Sequence, residues 1–248
     1  MHARKLTLEE LIRADADHDC GGSGACVKLV AAAELPTRFG EFQVVAFDSP
    51  TDGKEHAALI RGEIFDGEDV PVRLHSECLT GDTLGSLRCD CRDQLELALT
   101  ELGRHEAGVL LYLRQEGRGI GFANKIKAYQ LQEKGLDTIQ ANEALGFRGD
   151  ERDYEVAAHM LGTLRVRSIR LMSNNPTKID DLAAHGVKIT GRIPLVVPAN
   201  PFNRRYLETK RLKAGHLLAE LPPLTIHEQV DSMARESANG NAGAEKAA

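Results

Sequence analysis

The stretch from Arg73 to Arg92, RLHSECLTGDTLGSLRCDCR, constrains this chain more than any other part of its sequence. It contains three of the five cysteines: Cys78, Cys89 and Cys91. Thiolates are soft ligands that suit zinc, and a Cys-x-Cys pair places two sulfurs within reach of one ion. Three protein ligands leave the fourth tetrahedral position open, which is the arrangement of a catalytic zinc. The spacing therefore predicts a zinc site.

Two other interpretations of this stretch stay open. His75 is a candidate fourth ligand, and it would close the site and make it structural. Alternatively, the cysteines are ordinary buried thiols, since free cysteine is often buried and the gap between Cys78 and Cys89 is not zinc-finger spacing. The many charged and hydroxyl side chains around the cysteines favour a site with a polar ligand, because a plain core segment is mostly apolar.

Composition limits the classes of protein to consider. The chain has 248 residues, of which 42% are hydrophobic and 27% are charged, as is usual for a globular protein. Its net charge of -6 argues against a general nucleic-acid partner, so any phosphate site must be local. The sequence has neither a long apolar run nor an apolar signal core. We expect no membrane partner, a cytoplasmic location and reduced cysteines.

Three regions are predicted along the chain. Residues 1–26 are expected to be a flexible extension, with a short helix capped by Thr7 and then a glycine-rich linker. His18, Cys20 and Cys26 suggest a second metal site there, but the intervening glycines argue against it. Residues 27–220 form the predicted main domain. Residues 221–248 are small and polar, which predicts a disordered tail.

Apolar patterning predicts an α/β fold. The runs VKLVAAAEL, FQVVAFDS, HAALIRGEI and VPVRLHS predict an N-terminal antiparallel β-sheet of about four strands, the last leading into the cysteines. Leu95, Leu99 and Leu102 then recur at helical spacing. Alternating strands and helices follow, and we expect them to surround the zinc site.

A glycine loop follows the buried strand GVLLYLRQ and precedes a helix, an arrangement that binds phosphate. Its Gly117, Gly119 and Gly121 match neither the dinucleotide fingerprint nor the P-loop, so a simple tight turn is an alternative. Arg114 and Arg118 favour a functional loop, because arginine gives bidentate contacts to phosphate. Further on, the charged segment GDERD precedes a helix, and on its own pattern it fits a solvated helix start.

Several separated motifs, taken together and in this order, resemble GTP cyclohydrolase II: HSECLTGDTLGSLRCDC, RQEGRGIG, NKIKAYQLQ, GDERDY, NNPTK and TKRLKAGH. The resemblance covers about Val27 to Leu218. It implies zinc-dependent hydrolysis of GTP that opens the imidazole ring of guanine, the first step of riboflavin biosynthesis. The implied products are formate, pyrophosphate and 2,5-diamino-6-(5-phosphoribosylamino)pyrimidin-4(3H)-one. It also implies Mg²⁺ bound with the triphosphate, and a homodimer.

The resemblance assigns roles to individual residues. Cys78, Cys89 and Cys91 match the zinc ligands. The positions that match nucleotide contacts are Arg73, His75, Ser76, Glu77, Gln94, Glu116, Gly117, Arg118, Thr138, Ser173 and Lys178. Asp150 matches a proton acceptor, Arg152 a proposed nucleophile and Tyr129 a tyrosine needed for the ring chemistry. Because guanidinium is normally protonated, stabilising the leaving pyrophosphate is a plainer role for Arg152.

These assignments revise two earlier interpretations and leave others open. GDERD becomes catalytic, and His75 becomes a neighbour of the nucleotide. Ser173 departs from the threonine usual in the family, and some homologues stop at a formamidopyrimidine, whereas Tyr129 favours the complete reaction. The synthase domain often fused to this enzyme is not seen, so we expect one activity. The competing hypotheses are a nucleotide-binding regulator and a nicotinamide-dependent oxidoreductase, which the glycine spacing does not support.

Overall fold

The computed structural model describes residues 7–15, 25–213, 215 and 217. Seven strands form one sheet in the order β1-β2-β3-β5-β4-β6-β7. The strands are β1 Lys28–Thr37, β2 Gly40–Ser49, β3 Lys54–Arg61, β4 Val70–Ser76, β5 Gly108–Leu113, β6 Ile169–Met172 and β7 Ile189–Ile193. The helices are α1 Leu8–Asp15, α2 Cys91–Arg104, α3 Phe122–Glu133, α4 Thr138–Ala144, α5 Glu155–Thr163, α6 Pro176–Ala184 and α7 Arg204–Lys213.

The sheet has an antiparallel half and a parallel half, which confirms the α/β class. Strands β1, β2, β3 and β5 pair antiparallel, and β5, β4, β6 and β7 pair parallel. The prediction that the first four strands form one antiparallel sheet is wrong for β4, because β5 lies between β3 and β4. Helix α2 makes the crossover from β4 to β5, and β4 is buried along most of its length, as is typical of a central parallel strand.

Apolar clusters cover both faces of the sheet. On one face, Leu74 and Leu111 pack in a large cluster that includes side chains of α1, α5 and α6. On the other face, Leu110 packs against Leu99 and Leu102 of α2. The predicted amphipathic helix is confirmed, and its apolar side lies on the sheet.

The carboxyl ends of the central parallel strands meet at one edge of the sheet. The cysteine turn follows β4, the glycine loop follows β5 and the segment Ser173–Asn175 follows β6. Helix α6 begins with Asn175 as its N-cap and Pro176 in its first turn, where the missing amide of proline leaves no bond unmade. Segments far apart in the sequence thus come together at the edge where open α/β sheets bind ligands.

Part of the N-terminal extension packs on this fold. Thr7 and Glu10 exchange hydrogen bonds at the start of α1, in agreement with the predicted cap. The expectation of flexibility is wrong for α1, because Leu8 and Leu11 are buried in the large apolar cluster. The Asp15 carboxylate also accepts a hydrogen bond from the amide of Leu29 at 2.6 Å, which joins the helix to β1.

Three further expectations concern the termini and the location. Cys26 is disulfide-bonded, so the expectation of reduced cysteines is wrong at this position, and Cys26 offers no free thiol to a second metal site. Most of the glycine-rich linker and the tail at 221–248 lie outside the described residues. Among the helices that the structure describes, none is long and apolar enough to cross a membrane.

The packing of α1 generates a stability prediction. Leu11→Ala should lower the free energy of unfolding by about 2 kcal/mol or more, because truncating a buried leucine loses apolar burial and leaves a cavity. Arg13→Ala is the matched control, since the Arg13 side chain on the same helix is 81% exposed. Urea unfolding of both variants measures the difference. Equal stability of Leu11→Ala and the wild type would show that α1 does not contribute to the core.

Candidate active site and metal centre

A cavity of about 450 Å³ lies at the carboxyl edge of the parallel strands. It is lined by every residue to which the resemblance assigns a role in zinc binding, nucleotide binding or catalysis. Arg114 is the exception among the arginines proposed for phosphate, because it is exposed, does not line the cavity and pairs with Glu77 at 3.2 Å. The structure therefore brings the separated motifs together around one space.

The three cysteines form a compact cluster at one end of this cavity. Their Sγ atoms all lie within 4.8 Å of one another, and those of Cys78 and Cys89 are 3.7 Å apart. Sulfurs bound to one tetrahedral zinc at the usual Zn–S distance are about 3.8 Å apart. Cys78 precedes a π-helical turn at Leu79–Thr83, and Cys91 begins α2. The donor set and its spacing fit one zinc ion.

His75 is held away from the thiols by Asp82. Its Nε2 lies 3.0 Å from both carboxylate oxygens of Asp82, and its ring stacks on Tyr112. Asp82 also accepts hydrogen bonds from the Cys78 amide and the Tyr112 hydroxyl. Among the described residues, the cysteine cluster includes no histidine or carboxylate. This arrangement favours a three-thiolate site over a closed site with His75 as the fourth ligand.

Lys125 supplies positive charge to the thiol cluster. Its Nζ lies 3.0 Å from Cys78 Sγ and 2.8 Å from Glu116 Oε1. Hydrogen bonds from Cys89 and Cys91, with the charge of Lys125 in addition, hold the pKa of the Cys78 thiol far below its usual value. Burial lowers the pKa of Lys125, but Glu116 and Cys78 outweigh burial, and the net pKa is raised. A protonated lysine therefore stabilises a thiolate.

The glycine loop packs against both the cysteine turn and the GDERD segment. Gly117, Arg118 and Gly119 all have φ between 61° and 92°, a left-handed conformation that suits glycine. A Cβ on Gly119 would lie 3.0 Å from the carbonyl of Glu151, so a side chain there would separate the two segments. The Glu116 carboxylate accepts hydrogen bonds from the amides of Leu79 and Gly117, which fixes the loop to the cysteine turn.

Asp150 and Arg152 form an ion pair on the cavity wall. Arg152 donates its backbone amide and Nε to Asp150 Oδ1, and its Nη2 pairs with Oδ2. Burial would lower the pKa of Arg152, but Tyr154 and Asp150 outweigh it and the pKa is raised. Burial would raise the pKa of Asp150, and Arg152 more than offsets this and lowers it. The pair is a fixed cation beside a carboxylate.

Tyr129 lies near the thiols on α3. Its hydroxyl is 3.4 Å from Thr80 Oγ1, which in turn is 3.6 Å from Cys78 Sγ. The guanidinium of Arg88 stacks 4.1 Å above the Tyr129 ring. Burial raises the pKa of the phenol, which stays protonated and can donate a hydrogen bond.

Two buried cations form part of the cavity floor. Arg73 donates to the carbonyl of Met172 and to Gln94 Oε1, and burial lowers its pKa to about 10. Lys178 donates to the carbonyl of Leu74, and burial together with the charges of Arg73 and Arg152 lowers its pKa well below the usual value. Positive groups packed this closely favour an anionic ligand.

Several buried polar atoms that belong to cavity-lining residues have no hydrogen-bond partner in the described part of the chain. They are Arg73 Nε, His75 Nδ1 and Gln115 Oε1. Unpaired buried polar atoms are costly, so such a cluster indicates a bound polar ligand or water. Ser173 Oγ accepts the amide of Asn175, and Thr138 begins α4 at the cavity rim.

The structure also adds residues to the cavity to which sequence reasoning assigned no role. Lys125 precedes Tyr129 by one helical turn on α3, and this i, i+4 spacing was the signal that could have identified it. The other additions include Asp90 between two of the cysteines, and Tyr206, Thr209 and Lys210 on α7. No spacing rule connects α7 to the cysteines, so only the tertiary structure reveals these contacts.

The sequence profile of the GTP cyclohydrolase II family matches residues 28–194. This match covers more than half of the chain, which therefore belongs to the GTP cyclohydrolase II family. The cavity described above lies largely within the matched residues, whereas α7 follows them.

Individual relatives agree with this assignment. GTP cyclohydrolase-2 of Azotobacter vinelandii is 55% identical over 195 residues, which are 79% of this chain and 94% of that protein. GTP cyclohydrolase-2 of Picrophilus torridus is 50% identical over 77% of this chain and 99% of that protein. Riboflavin biosynthesis protein RibBA of Bacillus mycoides is 49% identical over 87% of this chain. The chain spans about half the length of that RibBA relative, since 53% of it is matched.

The contact between Gly81 and the cysteines generates a prediction about metal binding. A Cβ at Gly81 would lie 2.8 Å from Cys89 Sγ and 3.1 Å from Cys78 Sγ. If the three thiols hold a metal ion, Gly81→Ala should displace them and lower the bound zinc to less than about half of the wild-type value. Gly162→Ala is the control, since a Cβ there meets nothing within 4 Å. Elemental analysis of both purified variants gives the zinc content, and full zinc in Gly81→Ala would contradict the proposed ligand geometry.

Proposed function

We propose that this chain hydrolyses GTP, opens the imidazole ring of guanine and releases formate and pyrophosphate. The product would be 2,5-diamino-6-(5-phosphoribosylamino)pyrimidin-4(3H)-one, the first intermediate of riboflavin biosynthesis. One observation carries the proposal: a three-thiol cluster suited to zinc and a cation-rich wall suited to phosphates line the same cavity. A nucleoside triphosphate has a ring at one end and phosphates at the other, and thus matches both.

The thiol end is proposed to act on the guanine ring. Cys78, Cys89 and Cys91 would hold one Zn²⁺, which when bound would polarise substrate groups and lower the pKa of water. Lys125 keeps Cys78 ionised as a ligand, through the 3.0 Å contact of Nζ with Sγ. Tyr129 is a protonated phenol whose hydroxyl lies 3.4 Å from Thr80 Oγ1, and in this proposal it donates a hydrogen bond to the opening ring.

The cation-rich wall of the cavity is proposed to hold the triphosphate. Arg118, Arg152 and Lys178 line the cavity there, so a chain with a net charge of -6 can still bind a polyanion locally. Mg²⁺ is proposed to arrive with the nucleotide, because this ion is usually held by substrate phosphates and few protein ligands.

Arg152 is proposed to stabilise the leaving pyrophosphate and not to attack the nucleotide. A nucleophile needs a free electron pair, but the raised pKa of Arg152 keeps its guanidinium protonated. The lowered pKa of Asp150 keeps that carboxylate ionised, so it can orient Arg152 and accept a proton.

Cytoplasmic location and a homodimer complete the proposal. The homodimer is supported by Leu84 and Leu87, two large apolar side chains near the cysteines in the sequence that are 68% and 55% exposed and that a partner could cover. Sedimentation equilibrium would test the dimer, and a single species of monomer mass at micromolar concentration would argue against it.

The product distinguishes the proposed reaction from its alternatives. Purified protein is incubated with GTP, Zn²⁺ and Mg²⁺, and the products are identified by mass spectrometry. The diaminopyrimidinone with formate and pyrophosphate supports the full reaction. A formamidopyrimidine nucleotide would mean that the enzyme stops after ring opening, and unchanged GTP would contradict the proposal.

Cys89→Ser tests the thiol end. The substitution should lower the zinc content well below one ion per chain and abolish formate release, because serine is a much weaker zinc ligand than thiolate. Zinc is counted by elemental analysis, and formate and pyrophosphate are followed in one time course. Normal formate release with full zinc would show that the metal is bound elsewhere.

Arg152→Ala tests the phosphate end. The variant should keep its zinc but lose pyrophosphate release by about tenfold or more, since charge-assisted contacts contribute roughly 1.5–3 kcal/mol. Arg148→Ala is the matched control, because Arg148 lies in the same segment, is 80% exposed and pairs with Glu151. If both variants release pyrophosphate at the wild-type rate, Arg152 has no role in phosphate cleavage.

A further inference from the structure

Helix α7 brings a charged side chain to the thiol end of the cavity. Lys210 Nζ lies 2.8 Å from Asp90 Oδ1, and the two side chains are only 10% and 2% exposed. Asp90 lies in the sequence between Cys89 and Cys91. The family profile ends at residue 194, and none of the roles assigned above falls on α7. Lys210, which belongs to the motif TKRLKAGH, is thus paired with Asp90, and no role has yet been given to it.

The Lys210–Asp90 pair continues into a chain of hydrogen bonds. Gln94 donates its amide to the other carboxylate oxygen of Asp90, and its own oxygen accepts from Arg73 Nη2 at 2.7 Å. Arg73 in turn donates Nη1 to the carbonyl of Met172 at the end of β6. One continuous network thus connects α7, α2, β4 and β6 beneath the cavity.

One face of α7 also forms a wall of the cavity. Tyr206, Thr209 and Lys210 line the cavity, and their i, i+3 and i+4 spacing places them on the same side of the helix. The ammonium of Lys210 lies 4.5 Å from the centre of the Tyr206 ring. Leu212 is 69% exposed, so the helix has an outer face away from the cavity. Because the same lysine contacts both Asp90 and Tyr206, the ion pair orients this wall.

We infer that Lys210 is a positioning residue for the nucleotide: its ion pair with Asp90 fixes Gln94 and Arg73 and holds Tyr206 of α7 as a wall of the cavity. A buried ion pair often contributes little net stability, since desolvation offsets the attraction. Removing one partner alone leaves the other charge buried and uncompensated, which favours detachment of the helix. The inference rests on the proposed function, because the nucleotide in question is GTP.

Kinetics of Lys210→Met test this inference. Without its cation, Asp90 is uncompensated and α7 should leave the cavity, so KM for GTP should rise about tenfold or more while zinc stays at the wild-type level. Leu212→Ala, on the outer face of the same helix, should keep wild-type KM and kcat. KM and kcat of Lys210→Met within twofold of the wild type would overturn the inference.

The double variant Asp90→Asn/Lys210→Met separates positioning from direct contact with the phosphates. Asparagine has no charge to leave uncompensated and can still bond Gln94, so the double variant should have a lower KM than Lys210→Met. If Lys210 contacted the nucleotide directly, neutralising Asp90 would not restore affinity. A double variant as impaired as Lys210→Met therefore overturns the positioning role.

Two further measurements keep the result decisive. If Lys210→Met does not fold, Tyr206→Ala is assayed in its place: a raised KM for GTP supports the role of α7 as a cavity wall, and a wild-type KM contradicts it.

Formate release from GTP by the wild-type protein is measured first. If the wild type releases none, the proposed function has failed. If it does and KM is insensitive to these substitutions, only the inference about α7 has failed.

Discussion

The buried contacts of Lys125 connect the two ends of the cavity. Its ammonium lies between the Cys78 thiolate and the Glu116 carboxylate, and Glu116 is bonded to the amides of the cysteine turn and the glycine loop. Buried charges persist only when they are paired in this way. The glycine loop is therefore joined to the thiol cluster through Lys125 and Glu116, and it packs closely on the GDERD segment at Gly119.

The distribution of charge explains how an acidic chain can present a site for a polyanion. Its exposed acids act at long range, where salt screens them, whereas the cations of the cavity are buried or lie on its wall. Arg73 and Lys178 have lowered pKa values because they are crowded and desolvated, and an anionic ligand would relieve this cost. Arg152 differs from them because Asp150 keeps it fully charged. The environments of Arg73 and Lys178 therefore suit binding of an anion, whereas that of Arg152 suits electrostatic stabilisation.

The central parallel strands of the sheet position the turns that carry the cavity residues. Strands β4, β5 and β6 are parallel neighbours, so the segments that follow them reach the same edge of the sheet. The short turns there adopt conformations that only the surrounding structure maintains, such as Arg118 with φ of 61°. Helix α7, which comes last in the described sequence, forms a further wall of the cavity and is joined to it by the Lys210–Asp90 ion pair. The site is thus assembled from segments that begin at Arg73 and end at Lys210.

The sequence by itself determined the α/β class, the amphipathic α2, the cap of α1 and the motifs that meet at the cavity, because spacing, capping and motif order are local properties. The tertiary structure decided what depends on contacts between distant segments. It placed β5 between β3 and β4, packed α1 on the core, tied His75 to Asp82 and brought Lys125 and Lys210 to the thiol end. Hydrophobic periodicity and local motifs do not specify these contacts. Each one forms because a buried charge needs a partner or an apolar surface needs to be covered in the folded chain.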